Sequence, residues 1–191
     1  MRETAPRTIL HAPATATAPA LTLRPWREGD LPALIEAYDD PLMVRSTQNP
    51  VRGEAGAVRW LEERSRGWTT GTRLSFAVFE EGRLAGHVVV KRPGPMAGAS
   101  GASSASETAE VGYWTVAAAR GRGVAPHAVE TATVWAFTTL GSPVVNRLEL
   151  LHQVDNRASC RVAEKAGYVY ERTLAPHPPF RLEGHLHVRH R

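Results

Sequence analysis

The sequence has a single cysteine, Cys160, and only two lysines, Lys91 and Lys165. One cysteine excludes an internal disulfide and a zinc cage built from several cysteines. Because lysine is scarce, arginine supplies almost all of the positive charge. No stretch approaches the roughly 20 consecutive apolar residues that a membrane span needs, so we expect no membrane contact.

The chain has 191 residues, a formal net charge of +4 and an isoelectric point near 9.7. This length most simply encodes one domain. The arginines are not clustered, which favours a small polyanionic ligand over nucleic acid, for which a basic stripe with interleaved aromatic residues is typical. The N-terminus lacks the continuous apolar segment of a secretory signal, so we expect a cytoplasmic protein.

Composition divides the chain into segments. Residues 1–19 are rich in Ala, Thr and Pro without periodicity, which predicts a mobile N-terminal extension outside the core. A single domain is expected over residues 20–191. Within it, residues 93–108 consist mainly of Gly, Ala and Ser, and this composition predicts a flexible hairpin loop.

The spacing of apolar residues predicts the secondary structure. Strands are expected at residues 21–26, 74–79, 84–91, 110–116, 148–151, 168–174 and 182–188, and helices at 31–38, around 57–61, at 126–140 and at 156–167. Residues 80–83, Glu-Glu-Gly-Arg, predict a hairpin turn. This order of elements indicates an α/β fold with a mixed sheet of about seven strands flanked by helices.

The segment Arg120-Gly121-Arg122-Gly123-Val124-Ala125 joins a predicted strand to a predicted helix. Glycine has no Cβ atom, so backbone N–H groups can approach one anion, and the next helix adds its free N–H groups and positive dipole end. Arg120 and Arg122 would supply charge for a diphosphate, and a Cβ atom at Gly123 would occupy the diphosphate path. The alternative is an ordinary glycine-containing turn with solvated arginines.

Three further motifs accompany this segment. Leu23-Arg24-Pro25-Trp26 lies near the start, Glu110-Val111-Gly112-Tyr113-Trp114 precedes the glycine turn, and Asn156-Arg157-Ala158-Ser159 is followed by Val-Ala-Glu-Lys-Ala-Gly-Tyr at 162–168. In this order and spacing the four motifs resemble the GCN5-related N-acetyltransferase (GNAT) superfamily, in particular its RimJ/RimL-type ribosomal-protein-alanine acetyltransferase branch. The resemblance extends over about residues 21 to 188. It implies a mostly antiparallel sheet with two splayed central parallel strands.

The resemblance also implies acetyl-CoA as acetyl donor, no metal, and direct transfer to an amine in a ternary complex. The pantetheine arm would enter between the strands at 110–116 and 148–151, and the N–H of Thr115 would stabilise the oxyanion. The implied cofactor contacts are Trp114, Thr115, Val116, Arg120, Gly121, Arg122, Gly123, Val124, Ala125, Asn156 and Ser159.

Acetylation requires that the ammonium loses a proton, and the thiolate leaving group benefits from gaining one. The resemblance implies Ser159 as the donor and Asn156 as a contact of the pantetheine amide, with helix capping alone as the alternative for Asn156. Glu110 is the candidate base, directly or through water, and a solvated carboxylate at a strand edge is the alternative. His152 is another candidate for a proton relay.

Several other residues carry weaker signals. Cys160 follows Ser159, but helical neighbours point about 100° apart, so we expect Cys160 to pack and not to react. The spacing of the histidines near the C-terminus does not match a closed tetrahedral metal site. These residues are His177, His185, His187 and His190.

Several parts of the interpretation stay open. The acceptor is either the N-terminal α-amine of a protein or peptide, or the amine of a small metabolite or antibiotic. Ala117 stands where the branch usually carries a proline, which weakens the analogy for the turn. The branch often dimerises, and the last two strands are candidates for a homodimer contact. A non-catalytic acyl-CoA-binding or regulatory module is the alternative function.

Overall fold

The computed structural model describes residues 8–46, 50–92, 108–140, 145–176 and 182–191, without the side chains of residues 45 and 46. The predicted loop at 93–108 therefore lies outside the described residues except for Thr108, and so does His177. The described strands are β1 (Leu10–Ala12), β2 (Leu21–Pro25), β3 (Arg73–Glu80), β4 (Arg83–Lys91), β5 (Thr108–Thr115), β6 (Arg147–Gln153), β7 (Val169–Leu174) and β8 (Gly184–His190). The helices are α1 (Leu31–Ala37), α2 (Pro41–Ser46), α3 (Gly53–Thr70), α4 (Val124–Thr139) and α5 (Arg157–Lys165), with short 3-10 turns at Glu28–Asp30 and Ala117–Ala119.

The strands form one mixed sheet in the order β1-β2-β3-β4-β5-β6-β8-β7. Every neighbouring pair is antiparallel except β5 and β6, which run parallel. This arrangement confirms the predicted α/β class and adds one strand to the expected seven. No helix among the described residues is long and apolar enough to cross a membrane.

The additional strand comes from the N-terminal segment. We expected residues 1–19 to lie outside the core, but Leu10 pairs with Leu23, and Ala12 is only 4% exposed. A three-residue strand surrounded by Ala, Thr and Pro is too short for its alternation to stand out in a sequence. Residues 10–12 are therefore part of the sheet.

Alternating side chains divide the interior into two cores, one on each face of the sheet. Val111 of β5 packs in the core beneath α4 and α5, and Trp114 packs against the other core, beneath α1 and α3. On the face covered by α1 and α3, the helix α3 lies very close to the sheet. A Cβ atom added to Gly67 of α3 would be only 2.5 Å from the carbonyl oxygen of Arg73 in β3. The sheet therefore separates an α4–α5 face from an α1–α3 face.

The two parallel strands separate towards their C-terminal ends. The β5–β6 pairing ends at Glu110, which lies opposite Glu149, although β5 continues to Thr115 and β6 to Gln153. Each strand keeps its outer neighbour, since β5 still pairs with β4 and β6 still pairs with β8. The structure thus contains the predicted splay between two central parallel strands, which opens beyond residue 110.

The predicted turns follow the local chemistry. The β3–β4 connection is a two-residue hairpin in which Glu81 and Gly82 both have positive φ, 48° and 78°. Such a turn matches the twist of the strands it joins. Helix α4 begins at Val124, two residues before the predicted start, and keeps Pro126 in its first turn, where a missing N–H costs no hydrogen bond.

Candidate functional site

The turn between β5 and α4 presents free backbone N–H groups. Within the described residues, no atom accepts a hydrogen bond from the N–H groups of residues 121 to 125. The next N–H group along the chain belongs to His127 and donates to the carbonyl oxygen of Gly123. Gly121 and Gly123 both have positive φ, 73° and 78°, a conformation that glycine adopts at little cost. Five successive unpaired N–H groups at a helix N-terminus form a site suited to an anion.

The two glycines of this turn have different surroundings. A Cβ atom added to Gly121 would meet nothing within 4 Å, so this residue faces open space. A Cβ atom added to Gly123 would lie 2.1 Å from the carbonyl oxygen of Thr17 and 3.0 Å from Cβ of Ala18. The expectation that a side chain at Gly123 would fill the diphosphate path therefore needs correction: it would first collide with the N-terminal segment.

Both arginines of the turn are engaged in ion pairs. Arg120 donates to Asp40 and, through Nε, to the carbonyl oxygen of Thr115 at 3.2 Å. Arg122 donates to the carboxylate of Glu80 through two nitrogens. Their predicted contacts with a diphosphate stay predictions.

The backbone of Thr115 faces the splay. The next residue, Val116, donates its N–H to Ala85 of β4 at 3.1 Å. Successive N–H groups of a strand point to opposite edges, so the N–H of Thr115 points away from β4 and towards β6. Since β5 and β6 no longer pair there, this N–H lies in the gap between them.

Two neighbouring residues have their backbone groups used elsewhere. The carbonyl of Val116 accepts from Ala119 at 3.0 Å, so both of its backbone groups have partners inside the protein. The carbonyl of Trp114 faces β4, since a Cβ atom added to Gly86 would lie 2.5 Å from it. Their predicted cofactor contacts stay predictions without support from a free backbone group.

Ser159 lies opposite β5 at the start of α5. Its hydroxyl oxygen accepts a hydrogen bond from the Tyr113 hydroxyl at 2.9 Å, and the residue is 9% exposed. Because the serine oxygen accepts this hydrogen bond, its own O–H is free to donate to another group. Burial raises the pKa of Tyr113 to about 12, so the phenol stays protonated and keeps donating.

Asn156 caps this helix. Its side-chain oxygen accepts from the N–H of Ser159 at 3.1 Å, the bond expected of an N-cap residue. The predicted capping role is confirmed, and a contact with pantetheine stays a prediction. Tyr113 was missed as a functional residue, although strand periodicity places it on the face of Thr115, two residues away, and could have identified it.

The structure does not bring Glu110 together with Ser159. Glu110 forms an ion pair with Lys91, its side chain is 45% exposed, and it lies at the paired end of β5 and β6. Five residues of strand, about 16 Å, separate it from Thr115. Strand alternation also places it on the opposite face from Tyr113. Its role as a base stays a prediction that this position does not support.

An aromatic cluster covers the α1–α3 face beside Thr115. The indole N–H of Trp26 donates to Nδ1 of His87 at 3.0 Å, and the His87 ring stacks on Trp114 with 5.4 Å between centroids. Trp60 contacts His87 edge-on at 5.5 Å. Burial, with the positive charges of the nearby arginines, holds the pKa of His87 well below its usual value, so the ring is a neutral acceptor.

A groove of about 580 Å³ borders this cluster. Four arginines and one glutamate contribute its charged groups. The guanidinium of Arg64 stacks on Trp60 at 4.4 Å, and among the described residues the buried Nε atoms of Arg64 and Arg73 have no hydrogen-bond partner. Burial and the charge of Arg73 lower the pKa of Arg64. The charged groups are Arg52, Arg59, Glu63, Arg64 and Arg73.

His152 belongs to a second cluster of side chains. Its Nε2 is 3.2 Å from Nε2 of His187, and its Nδ1 is 2.8 Å from the carbonyl oxygen of Gln153. Cys160 and His185 complete this group. Sequence spacing did not indicate it, because its members come from β6, α5 and β8 and meet only in the folded chain.

Comparison with known proteins defines the class. The family profile described as "Acetyltransferase (GNAT) domain" matches residues 20–169. The chain therefore belongs to the GNAT acetyltransferase family, as the sequence motifs predicted. A search of curated protein sequences gives no match.

Solved structures share the fold over nearly the whole chain. RimL, a ribosomal L7/L12 α-N-protein acetyltransferase solved with coenzyme A, has 19% identity and a TM-score of 0.76, with 94% of this chain and 97% of that chain covered. RimJ of Mycobacterium smegmatis, solved with a CoA disulfide, has 18% identity and a TM-score of 0.75, with 95% and 85% covered. The microcin C7 self-immunity acetyltransferase MccE, solved with acetyl-CoA and AMP, has 18% identity and a TM-score of 0.74, with 90% and 92% covered.

Proposed function

We propose that this protein transfers the acetyl group of acetyl-CoA to a primary amine by direct attack in a ternary complex. The observation that carries the proposal is the row of N–H groups at residues 121 to 125, which have no acceptor among the described residues and follow the strand β5 beyond the end of its pairing with β6. Family membership and the CoA ligands of RimL, RimJ and MccE support acetyl-CoA as the donor. Bound acetyl-CoA would supply a thioester as the acetyl source.

The N–H groups of residues 121 to 125 would hold the diphosphate, since they have no acceptor among the described residues and a Cβ atom at Gly121 would face open space. The N–H of Thr115 would donate to the carbonyl oxygen as negative charge develops there. One such donor contributes about 2.7–4 kcal/mol to the stability of an oxyanion. A main-chain donor in a sheet is already oriented, so it needs no reorganisation during the reaction.

Ser159 would donate a proton to the departing sulfur. Tyr113 supports this step, because its O–H occupies an acceptor position on the serine oxygen and leaves the serine proton directed elsewhere. No base is assigned. An N-terminal α-amine, with a pKa of about 7.7 to 8.0, loses its proton near neutral pH with little assistance.

The arginine-lined groove bears on the acceptor. The structural neighbours have different targets and small ligands, the N-terminal α-amine of L7/L12 for RimL and AMP for MccE, so the fold alone does not select an acceptor. In the groove, the guanidinium groups of the four lining arginines provide donors for an anion, and Trp60 links the groove to the aromatic cluster beside Thr115. We therefore propose acceptors that carry a carboxylate or phosphate near the reactive amine.

Acetyl-CoA titration by calorimetry, followed by thiol release with a panel of amines, tests the proposed activity. Binding with thiol release from at least one amine supports it. Binding without thiol release from any amine would favour the alternative, a non-catalytic acyl-CoA-binding or regulatory module. Absence of binding would reject both.

Paired acceptors, with and without an acidic residue after the reactive amine, test the groove. Arg64→Gln should lower kcat/KM about 10- to 100-fold for the acidic acceptor, since one charge-assisted hydrogen bond contributes about 1.5–3 kcal/mol. The neutral acceptor should be unaffected. Arg66→Gln, an exposed change on the same helix outside the groove, is the matched control. An equal loss for both acceptors would contradict a role in acceptor charge recognition.

Two other expectations stay predictions. A homodimer through the final strands is compatible with β7, a sheet edge on which Val169 is 70% and Tyr170 50% exposed. Sedimentation analysis over a concentration series tests it. The cytoplasmic location likewise stays a prediction.

A further inference from the structure

Four side chains that can bind a metal converge between β6, α5 and β8. In the β6–β8 register, His152 lies opposite His185 and Leu150 opposite His187, so the three histidines share the sheet face that α5 covers. Cys160 of α5 meets them from above. One ligand atom of each residue lies within 4.8 Å of the corresponding atom in every other.

The separations of these atoms fit a tetrahedral ion. The Nε2 atoms of His152 and His187 are 3.2 Å apart, and Sγ of Cys160 is 3.4 Å from Nδ1 of His185. Ligands about 2.0–2.3 Å from a tetrahedral zinc ion lie about 3.3–3.7 Å from one another. Two edges of the tetrahedron are therefore already near their final length, and the others, which are at most 4.8 Å, need to close by up to about 1.5 Å.

Hydrogen bonding leaves a lone pair directed into the cluster. The Nδ1 of His152 is 2.8 Å from the carbonyl oxygen of Gln153. Because a carbonyl oxygen only accepts hydrogen bonds, Nδ1 must carry the proton to form one here. Its Nε2 therefore carries a lone pair that faces Nε2 of His187. A backbone carbonyl that fixes the tautomer in this way is a common partner of a metal-bound histidine.

Two of the four residues lie inside the protein. His187 is 1% and His152 9% exposed. The geometry of the cluster therefore places its ligand atoms at the packed interface between α5 and the sheet.

We propose that His152, Cys160, His185 and His187 together bind one Zn²⁺ ion. Three imidazole nitrogens and one thiolate are a ligand set that zinc prefers, and the thiol proton of Cys160 would pass to solvent on binding. With four protein ligands the site is closed, so the ion would connect α5 to β6 and β8 and would not activate water. This proposal does not depend on the proposed acetyltransferase reaction.

Metal uptake by the folded protein tests the site. The wild type and two variants are loaded with Zn²⁺, dialysed and analysed for bound metal, and Co²⁺ is then used as a spectroscopic probe. The wild type should hold one equivalent and show a thiolate-to-cobalt absorption band. Cys160→Ser, which changes one atom, should lose the band and bind Zn²⁺ at least 10-fold more weakly. His190→Ala, on the same strand but outside the cluster, should behave as the wild type.

Thermal denaturation adds an independent measurement, since an ion that binds only the folded state raises its melting temperature. Zn²⁺ should raise the melting temperature of the wild type and of His190→Ala more than that of Cys160→Ser. The proposal is overturned if the wild type retains no stoichiometric zinc, or if Cys160→Ser binds zinc as tightly as the wild type.

Discussion

Replacement of Ser159 by alanine separates the structural and chemical roles of the Tyr113–Ser159 pair. The change keeps the cap of α5, because the Ser159 N–H and not its side chain donates to Asn156. It leaves the Tyr113 hydroxyl without its acceptor. An orphaned hydroxyl costs about 1–3 kcal/mol, and the lower end applies because Tyr113 is only partly buried. The melting temperature should fall by about 2–4 °C.

The double variant Tyr113→Phe/Ser159→Ala should regain this stability, since both hydrogen-bonding groups are then absent. Thermal denaturation of the four proteins of the cycle measures the coupling. If the double variant is less stable than Ser159→Ala, the hydrogen bond seen at 2.9 Å is not the source of the loss.

Kinetics of the same four proteins measure the proton transfer. Ser159→Ala should lower kcat about 100-fold with little change in acetyl-CoA affinity, the lower end of what a general acid contributes. Tyr113→Phe should lower kcat only about 3- to 10-fold, since it removes one neutral hydrogen bond and leaves the serine donor. Ser65→Ala on α3 is the control. Equal kcat for Ser159→Ala and the wild type would refute the donor role.

Two further predictions concern the turn and the aromatic cluster. Gly123→Ala should unfold at a lower temperature than Gly121→Ala, because its Cβ atom would lie 2.1 Å from the Thr17 oxygen. Gly121→Ala should mainly weaken acetyl-CoA binding. Equal melting temperatures of the two variants would contradict this reasoning. His87→Gln keeps an acceptor for Trp26 but cannot titrate. Burial holds the His87 pKa well below its usual value, so below about pH 6.5 the unfolded chain binds one proton more than the folded chain. The free energy of unfolding should therefore decrease by about 1.4 kcal/mol for each unit by which the pH is lowered. Urea unfolding between pH 5 and 7 should show a shallower fall for His87→Gln, and identical slopes would exclude this origin.

Local signals in the sequence predicted much of the fold. The β3–β4 hairpin follows from Gly82, and the cap of α5 from Asn156, because each depends on residues within one turn. The glycine turn before α4 was located for the same reason. The splay was predicted only through the family resemblance, since the point where two strands part depends on contacts that are distant in sequence.

Features that join distant segments were missed or misplaced. Gly123 was assigned to the ligand side of the turn, whereas residue Thr17, more than a hundred positions earlier, fills the space beside it. Glu110 stays the candidate base, but its motif does not show that strand geometry places its backbone about 16 Å from that of Thr115. Sequence proximity along an extended strand is a poor guide to proximity in a site.

Helix α5 links the proposed chemistry to the proposed metal site. Successive helical residues point about 100° apart, so Ser159 meets Tyr113 of β5 while Cys160 meets His185 of β8. An ion on Cys160 would limit the rotation of α5 and so hold the serine in place. Removal of zinc should then lower kcat of the wild type but leave the residual kcat of Ser159→Ala unchanged, because that variant has no hydroxyl to position. An equal loss in both proteins would show that the metal stabilises the fold without acting through Ser159.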